Sequence, residues 1–316
     1  MKGLKKGDKG RKGIKGSKGK YFLAFKAIIT FTAFTTFLTL IAFITFLALL
    51  PNVPLHAELI KGARPLAMSG AFNTTAGDAN SLFNNIAGIA SIDRNMLELS
   101  CMPVYAIEDL YYFRAGYIFP YLSFKIGAGL NRTFLKDLFT QDEMVLGLGY
   151  ALQADFLIGM KIKYLSFSVE KSPGEPDQVR SRLRFVTFDL GMMMKAARFL
   201  ELSLSGCNLT DPAVTWLDGS LNVQSCRVFV TGIKVNFADY FSLTMDEEFR
   251  KSEKMVLKFG SELWFYDTVA VRAGIGRNEM YSLGAGLKIR YVNFDLGVQS
   301  HPVLGNQYQV DISFCY

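Results

Sequence analysis

The sequence predicts an all-β fold: a transmembrane antiparallel β-barrel of fourteen strands, entered by a short helical segment that stands ahead of the first strand. Three observations predict it. Polar and apolar residues alternate with period two from about residue 95 onward, the chain ends on a strand that closes with an aromatic residue, and the amino terminus has the order of an export leader. Alternation alone fits a soluble sandwich equally well, so the terminal strand and the leader decide the environment.

In the last strand Tyr308, Val310, Ile312, Phe314 and Tyr316 share one face, and Gln309, Asp311, Ser313 and Cys315 share the other. Soluble termini are usually polar, whereas a barrel in lipid needs its final strand to close the sheet with apolar side chains outward. Phe314 and Tyr316 therefore read as the assembly signal, and the barrel assembly machinery and outer-membrane lipid as the partners of that surface.

At the other end, residues 1–20 carry eight Lys and one Arg against one Asp, with glycine at every third position from Gly7 to Gly19. The stretch lacks proline and resembles collagen only superficially; it is a basic tail. An uncharged run from Ala27 to Leu50 and a short exit, Pro51 to Ala57, complete the order of a signal peptide, with cleavage expected near Ala57. Retention of the run as a membrane anchor is the alternative, since it is long enough to span a bilayer. The domain reading is 1–57 signal peptide, 58–94 amino-terminal segment and 95–316 barrel. Without residues 1–57 the chain keeps 25 basic against 27 acidic side chains. The basic excess belongs to the leader, and nothing in the remainder argues for nucleic-acid binding.

The strands are expected near 95–105, 109–118, 121–132, 142–152, 154–169, 181–195, 198–208, 223–236, 240–250, 253–266, 267–277, 279–291, 292–301 and 307–316, with twelve as the alternative count. Longer connections, Thr133 to Gln141, Glu170 to Arg180, Thr210 to Asn222 and Pro302 to Asn306, all follow odd-numbered strands. Short periplasmic turns and longer outer loops are the usual asymmetry, which puts both termini in the periplasm of a bacterial outer membrane. Parity places Lys258, Glu262, Arg272, Lys288, Arg290, Asp295 and Asp311 inside the lumen, as a structural ion-pair network ahead of a substrate track. At the bilayer midplane each would cost roughly 2–4 kcal/mol if it faced lipid. Gly147 and Gly149, Gly274 and Gly276, and Gly284 and Gly286 read as strand glycines that permit curvature.

Ahead of the first strand, the stretch from Gly62 to Ala90 resembles the amino-terminal signature of FadL-like outer-membrane proteins and their PorV-type relatives. Gly62, Arg64, Gly70, Ala71, Asp78, Ala79, Asn85, Ala87 and Gly88 match it, while Gly77 stands where the family has Asp and Ile86 where it has Pro. Trp264 to Gly274 and Leu304 to Asn306 also look like the family's carboxy-terminal hairpins. The resemblance implies a fourteen-stranded barrel plugged by this segment as a hatch, with Gly62, Arg64, Gly70, Ala71, Asp78, Asn85, Ala87 and Gly88 as hatch residues. It also implies passive uptake of hydrophobic compounds such as fatty acids, and a lateral opening in the third strand. In this chain that opening is expected at Gly127 and Gly129, where bulging is easy. The alternative within the resemblance is a PorV-type partner in secretion or surface attachment that transports nothing.

No catalytic constellation, metal site or cofactor is expected. Beyond residue 57 the one histidine, His301, sits beside Pro302 in an expected outer loop. Cys101, Cys207, Cys226 and Cys315 lack metal-ligand spacing and read as packing residues, with a Cys207–Cys226 disulfide as the weaker alternative.

Overall fold

The computed structural model describes residues 62–105, 107–136, 138–169, 182–211, 213–215, 222–224, 226–250, 254–276 and 280–316. The signal-peptide reading of 1–57, the first residues of the 58–94 segment and the Glu170 to Arg180 loop lie outside the described residues.

The strands run β1 Met96–Pro103, β2 Leu110–Tyr121, β3 Phe124–Leu135, β4 Phe139–Gln153, β5 Phe156–Val169, β6 Arg182–Ala197 and β7 Leu200–Cys207. A small hairpin, β8 Ala213–Thr215 with β9 Asn222–Gln224, stands apart from the main sheet. The main sheet continues as β10 Val228–Ala238, β11 Phe241–Arg250, β12 Val256–Phe265, β13 Val269–Ile275, β14 Tyr281–Ile289, β15 Val292–His301 and β16 Gly305–Cys315. Fourteen strands close on themselves, each antiparallel to the next, with β1 against β16. A closed sheet leaves no unpaired edge, the condition for strands in lipid. The seam holds Leu97 against Phe314 and Leu99 against Ile312. It is finished by the last residue: Asn95 N–H donates to Tyr316 O and Tyr316 N–H to Asn95 O, both at 3.0 Å.

The period-two pattern sorts side chains as the sequence requires. Leu146 and Leu283 point outward, 60% and 65% exposed, while Gln309 and Asp311 on the inner face are fully buried. A barrel with grease outside and polar groups within is the arrangement that lipid imposes. Turns between even and odd strands are two or three residues long, as at Leu122–Ser123 and Arg290–Tyr291. Two of the four expected longer connections are tight. β3 and β4 pair as far as Leu135 with Phe139, and β15 and β16 as far as His301 with Gly305, because these strands outrun their apolar cores. No disulfide joins Cys207 to Cys226.

Candidate functional site: a hatch seated in the lumen

Residues 62–95 do not cap the barrel; they fill it. Helix α1 (Ala63–Ala67) lies against β13 to β16, and two 3-10 turns, η1 (Ala79–Leu82) and η2 (Ile86–Ser91), occupy the opposite side against β1 to β6. Between them Asn73 reaches β7, β10 and β11: its backbone N–H donates to Asp246 Oδ2 at 2.7 Å, and its amide donates to Ser203 Oγ at 2.9 Å. Leu66, Leu82, Ile89 and Ala87 are fully buried. The segment therefore touches the wall around nearly its whole circumference.

Local sequence explains how so short a segment holds its shape. Gly62 has φ 116°, a conformation that L side chains rarely adopt, and a Cβ there would collide with the Asn80 side chain. Asp78 caps η1 by accepting from Asn80 N at 2.7 Å, and Asn85 caps η2 by accepting from Ala87 N at 3.2 Å. Ile86, at the position where the resembled signature has proline, opens η2 and drives its side chain onto the wall at Gly147.

The wall is cut to receive it. A Cβ built on Gly127 would stand 2.7 Å from Leu82 Cδ1, and one on Gly149 2.6 Å from Ile89 Cγ1. On Gly159 it would stand 2.8 Å from the Ile86 carbonyl, and on Gly260 2.9 Å from Met68 Cβ. Gly129, Gly147, Gly191, Gly274, Gly284 and Gly297 are equally close to hatch atoms. These inward glycines form a seat that lets the hatch backbone approach the sheet. Gly147, Gly149, Gly274 and Gly284, read from the sequence as permitting curvature, belong to this seat.

The same observation corrects the expectation for Gly127 and Gly129. Here β3 pairs without interruption to β2, from Leu110–Leu135 through Tyr121–Phe124, and to β4 through Gly127–Gly147 and Gly129–Val145. No lateral opening is formed at these glycines; they lie beneath Leu82 and Phe83 instead.

Buried charges lock hatch to wall. Arg64 donates to Glu262 of β12 at 2.6 and 2.8 Å and to Asp78 within the hatch at 2.7 Å. Burial pushes the Asp78 carboxyl up, but the Arg64 guanidinium and the Asn80 donors outweigh it and hold it below the ordinary carboxylate range. Arg272 of β13 bridges Glu262 and Asp295 of β15, both at 2.6 Å. Arg114 of β2 pairs with Glu98 of β1 and, at 3.2 Å, with Asp311 of β16, while Asp311 Oδ2 accepts from the Ala63 backbone at 2.7 Å. On the far side Lys161 is held by the carbonyls of Leu82, Phe83 and Asn84 at 3.1, 3.0 and 3.3 Å and by Asp189 at 3.2 Å. An ammonium ion there satisfies the carbonyls that end η1.

Of the seven charges assigned to the lumen, Glu262, Arg272, Asp295 and Asp311 lie in this cluster. Lys258 faces inward higher up, paired with Glu248 at 2.5 Å. Lys288, one residue before the end of β14, lies on the side of the termini and is exposed. Arg290 is not in the lumen: it sits in the β14–β15 turn with φ 49°, one residue past the strand whose parity was extended to it. Parity carried through β1, β2, β5 and β6 would have found Glu98, Arg114, Lys161 and Asp189.

Two surfaces flank the plug. At the mouth opposite the termini, Phe139, Phe167 and Phe185 of β4, β5 and β6 turn inward, with ring centroids 6.4 and 5.6 Å apart. On the side of the termini a cavity of about 100 Å³ opens between hatch and wall, lined by Arg64, Asp78, Trp264, Arg272, Lys288 and Asp295 among others.

No family model and no curated protein matches the sequence. Solved structures do match the fold. The Pseudomonas putida toluene transporter TodX superposes with a TM-score of 0.65 at 11% identity, over 82% of this chain and 99% of that one. A Pseudomonas aeruginosa FadL homologue superposes at 0.60 and 11%, over 81% and 98%. The monoaromatic hydrocarbon channel CymD gives 0.59 and 11%, over 82% and 98%. The fold is that of a FadL-like barrel. Its fourteen strands and internal hatch are thus reached from the coordinates as well as from the thirty-residue signature.

Proposed function

We propose that this chain is a bacterial outer-membrane barrel, termini in the periplasm, that takes up hydrophobic compounds passively, fatty-acid-like ligands among them. The observation that carries the reading is the inward aromatic trio at the mouth of a plugged lumen. Aromatic rings turned into the lumen make no sense for an aqueous pore, because they would stay in water and forgo the burial that lipid offers. They offer an apolar solute a first foothold, after which the hatch has to yield. The structural likeness to a toluene transporter and to a monoaromatic hydrocarbon channel supports this reading.

Transfer of a fluorescent hydrophobic probe into proteoliposomes tests it. Phe139→Ser with Phe167→Ser and Phe185→Ser is expected to slow transfer by about tenfold or more, since a single fully buried ring already contributes about 1.5–3 kcal/mol of apolar burial. Equal rates for this variant, the wild type and empty liposomes would favour the secretion-partner reading, in which the barrel binds protein and passes nothing.

Membrane assembly supplies a second check. Tyr316 stands at the seam on the outer surface, 62% exposed, with its hydroxyl 3.4 Å from that of Tyr117. Tyr316→Asp puts a charge beside lipid where the last ladder bond is made. The yield of heat-modifiable barrel in the outer membrane is expected to fall several-fold, read by gel mobility with and without boiling.

A further inference from the structure

The cluster that binds the hatch is short of positive charge. Three guanidinium groups, Arg64, Arg114 and Arg272, face five carboxylates, Asp78, Glu98, Glu262, Asp295 and Asp311. The shortage is concentrated at β1 and β16. Among the described residues Glu98 and Asp311 draw their ion pairs from Arg114 alone, and from the same nitrogen of it, Nη2. That nitrogen also donates to Asn80 Oδ1 at 2.6 Å. Arg114 Nε and Nη1 have no hydrogen-bond partner and lie by the Phe83 ring, with Cζ 4.8 Å from its centroid. Asp311 Oδ1 is buried and makes no well-formed hydrogen bond, although the Ser100 hydroxyl acts on this carboxyl, and Ser313 Oγ donates to Glu98 Oε2 at 3.3 Å.

Two buried carboxylates competing for one nitrogen cannot both stay ionised cheaply, whereas a protonated carboxyl is neutral and donates a hydrogen bond. We propose that the closed lumen carries one proton shared between Glu98 and Asp311, and that losing it releases the hatch.

The groups facing this pair are few. Arg114 and Tyr112 come from β2, Asp295 from β15, and Arg64 and Asp78 from the hatch; Glu262 and Arg272 stand beyond them, and Lys288 is out at the cavity rim. Each carboxyl also grips the hatch directly. Asp311 accepts from Ala63 N, and Glu98 accepts from Asn80 Nδ2 at 3.0 Å. A second negative charge at this point is relieved by admitting water, and water enters only if Ala63 and Asn80 leave. The cavity on the terminal side, with Asp78 and Asp295 in its lining, gives protons a way in from that side. The linkage has a definite sign. The closed state binds one proton more than the released state, whose hydrated carboxyls titrate in their ordinary range, so acid holds the hatch shut and rising pH frees it.

This inference rests on the hatch occluding the lumen, as the uptake reading also does, but its test uses no hydrophobic probe and so fails or succeeds separately. Full-length protein processed in cells is placed in planar bilayers and its ionic conductance followed from pH 5 to pH 9. One proton sets a limit of about tenfold in open probability per pH unit. Wild type is expected to open along that slope. Glu98→Gln and Asp311→Asn, neutral at every pH, are expected to stay shut. Infrared spectra of wild type at neutral pH should show a protonated-carboxyl band that is lost in both variants, a reading that does not depend on gating. Absence of that band, or conductance indifferent to pH, overturns the proposal. So does gating that follows replacement of sodium by a bulky organic cation, because a bound metal ion would then be supplying the missing charge.

Discussion

Deleting residues 62–91 is expected to leave a folded barrel whose lumen conducts ions, with conductance on the order of tenfold or more above the plugged protein. The wall does not depend on the hatch for its own charge pairing. Glu98, Arg114 and Asp311 belong to β1, β2 and β16; Glu262, Arg272 and Asp295 to β12, β13 and β15; and Lys161 pairs with Asp189 between β5 and β6. The only charges the deletion removes are Arg64 and Asp78, which pair with each other. What the hatch covers on the wall is mostly glycine, serine and these ion pairs, surfaces that tolerate water, with Met96, Ile118 and Val145 as an apolar patch under η1 and η2. Retained heat-modifiability with unchanged conductance would mean that another part of the chain occludes the lumen.

The fold was legible because the alternation that makes a strand amphipathic also says which face it buries, and Tyr308 to Tyr316 display it without a break. Fourteen strands fall within a few residues of their expected places. Strand ends were less legible: β3 and β4 continue past the polar Arg132–Asp142 stretch because Arg132 and Asp142 pair on the outer face at 2.6 Å, so charge there signals a hairpin and not a loop. The hatch was legible as a signature, but its seat was not. Glycine in a strand reads the same whether it eases curvature, weakens pairing or makes room for a neighbour. Only the position of Leu82, Phe83 and Ile86, distant in sequence, distinguishes these. The aromatic trio was missed for a related reason. Phe139, Phe167 and Phe185 have the period of ordinary strand residues, and an inward phenylalanine is visible only once the register with Glu143, Lys163 and Asp189 fixes the inner face.

The seat can be tested by filling it, and the geometry ranks the outcomes. Gly159→Val with Gly191→Val should unseat the hatch more than Gly127→Val with Gly129→Val. At Gly159 the new carbon would stand 2.8 Å from the carbonyl carbon and oxygen of Ile86 and 2.9 Å from Ala87 N, which is backbone that η2 cannot move without losing its cap. At Gly191 it would overlap Asn85 Oδ1, the capping oxygen itself, and lie 3.0 Å from Ala87 N. Overpacking of this kind costs typically 1–3 kcal/mol per site, and here the lost cap adds about 1 kcal/mol, which loosens the seat of η2. Gly127→Val with Gly129→Val meets only the ends of Leu82 and Phe83, flexible side chains that can turn aside, so its leak should be smaller. Had these glycines formed a gate, the same pair would instead slow probe transfer without raising ionic conductance. Ala128→Val, between them but pointing out of the barrel, should change nothing. Conductance in bilayers for all three reads the order directly. A larger leak from the Gly127 and Gly129 pair than from Gly159 and Gly191 would show that the hatch gives way at η1 and not at η2, and that the backbone contact under Ile86 does not hold it.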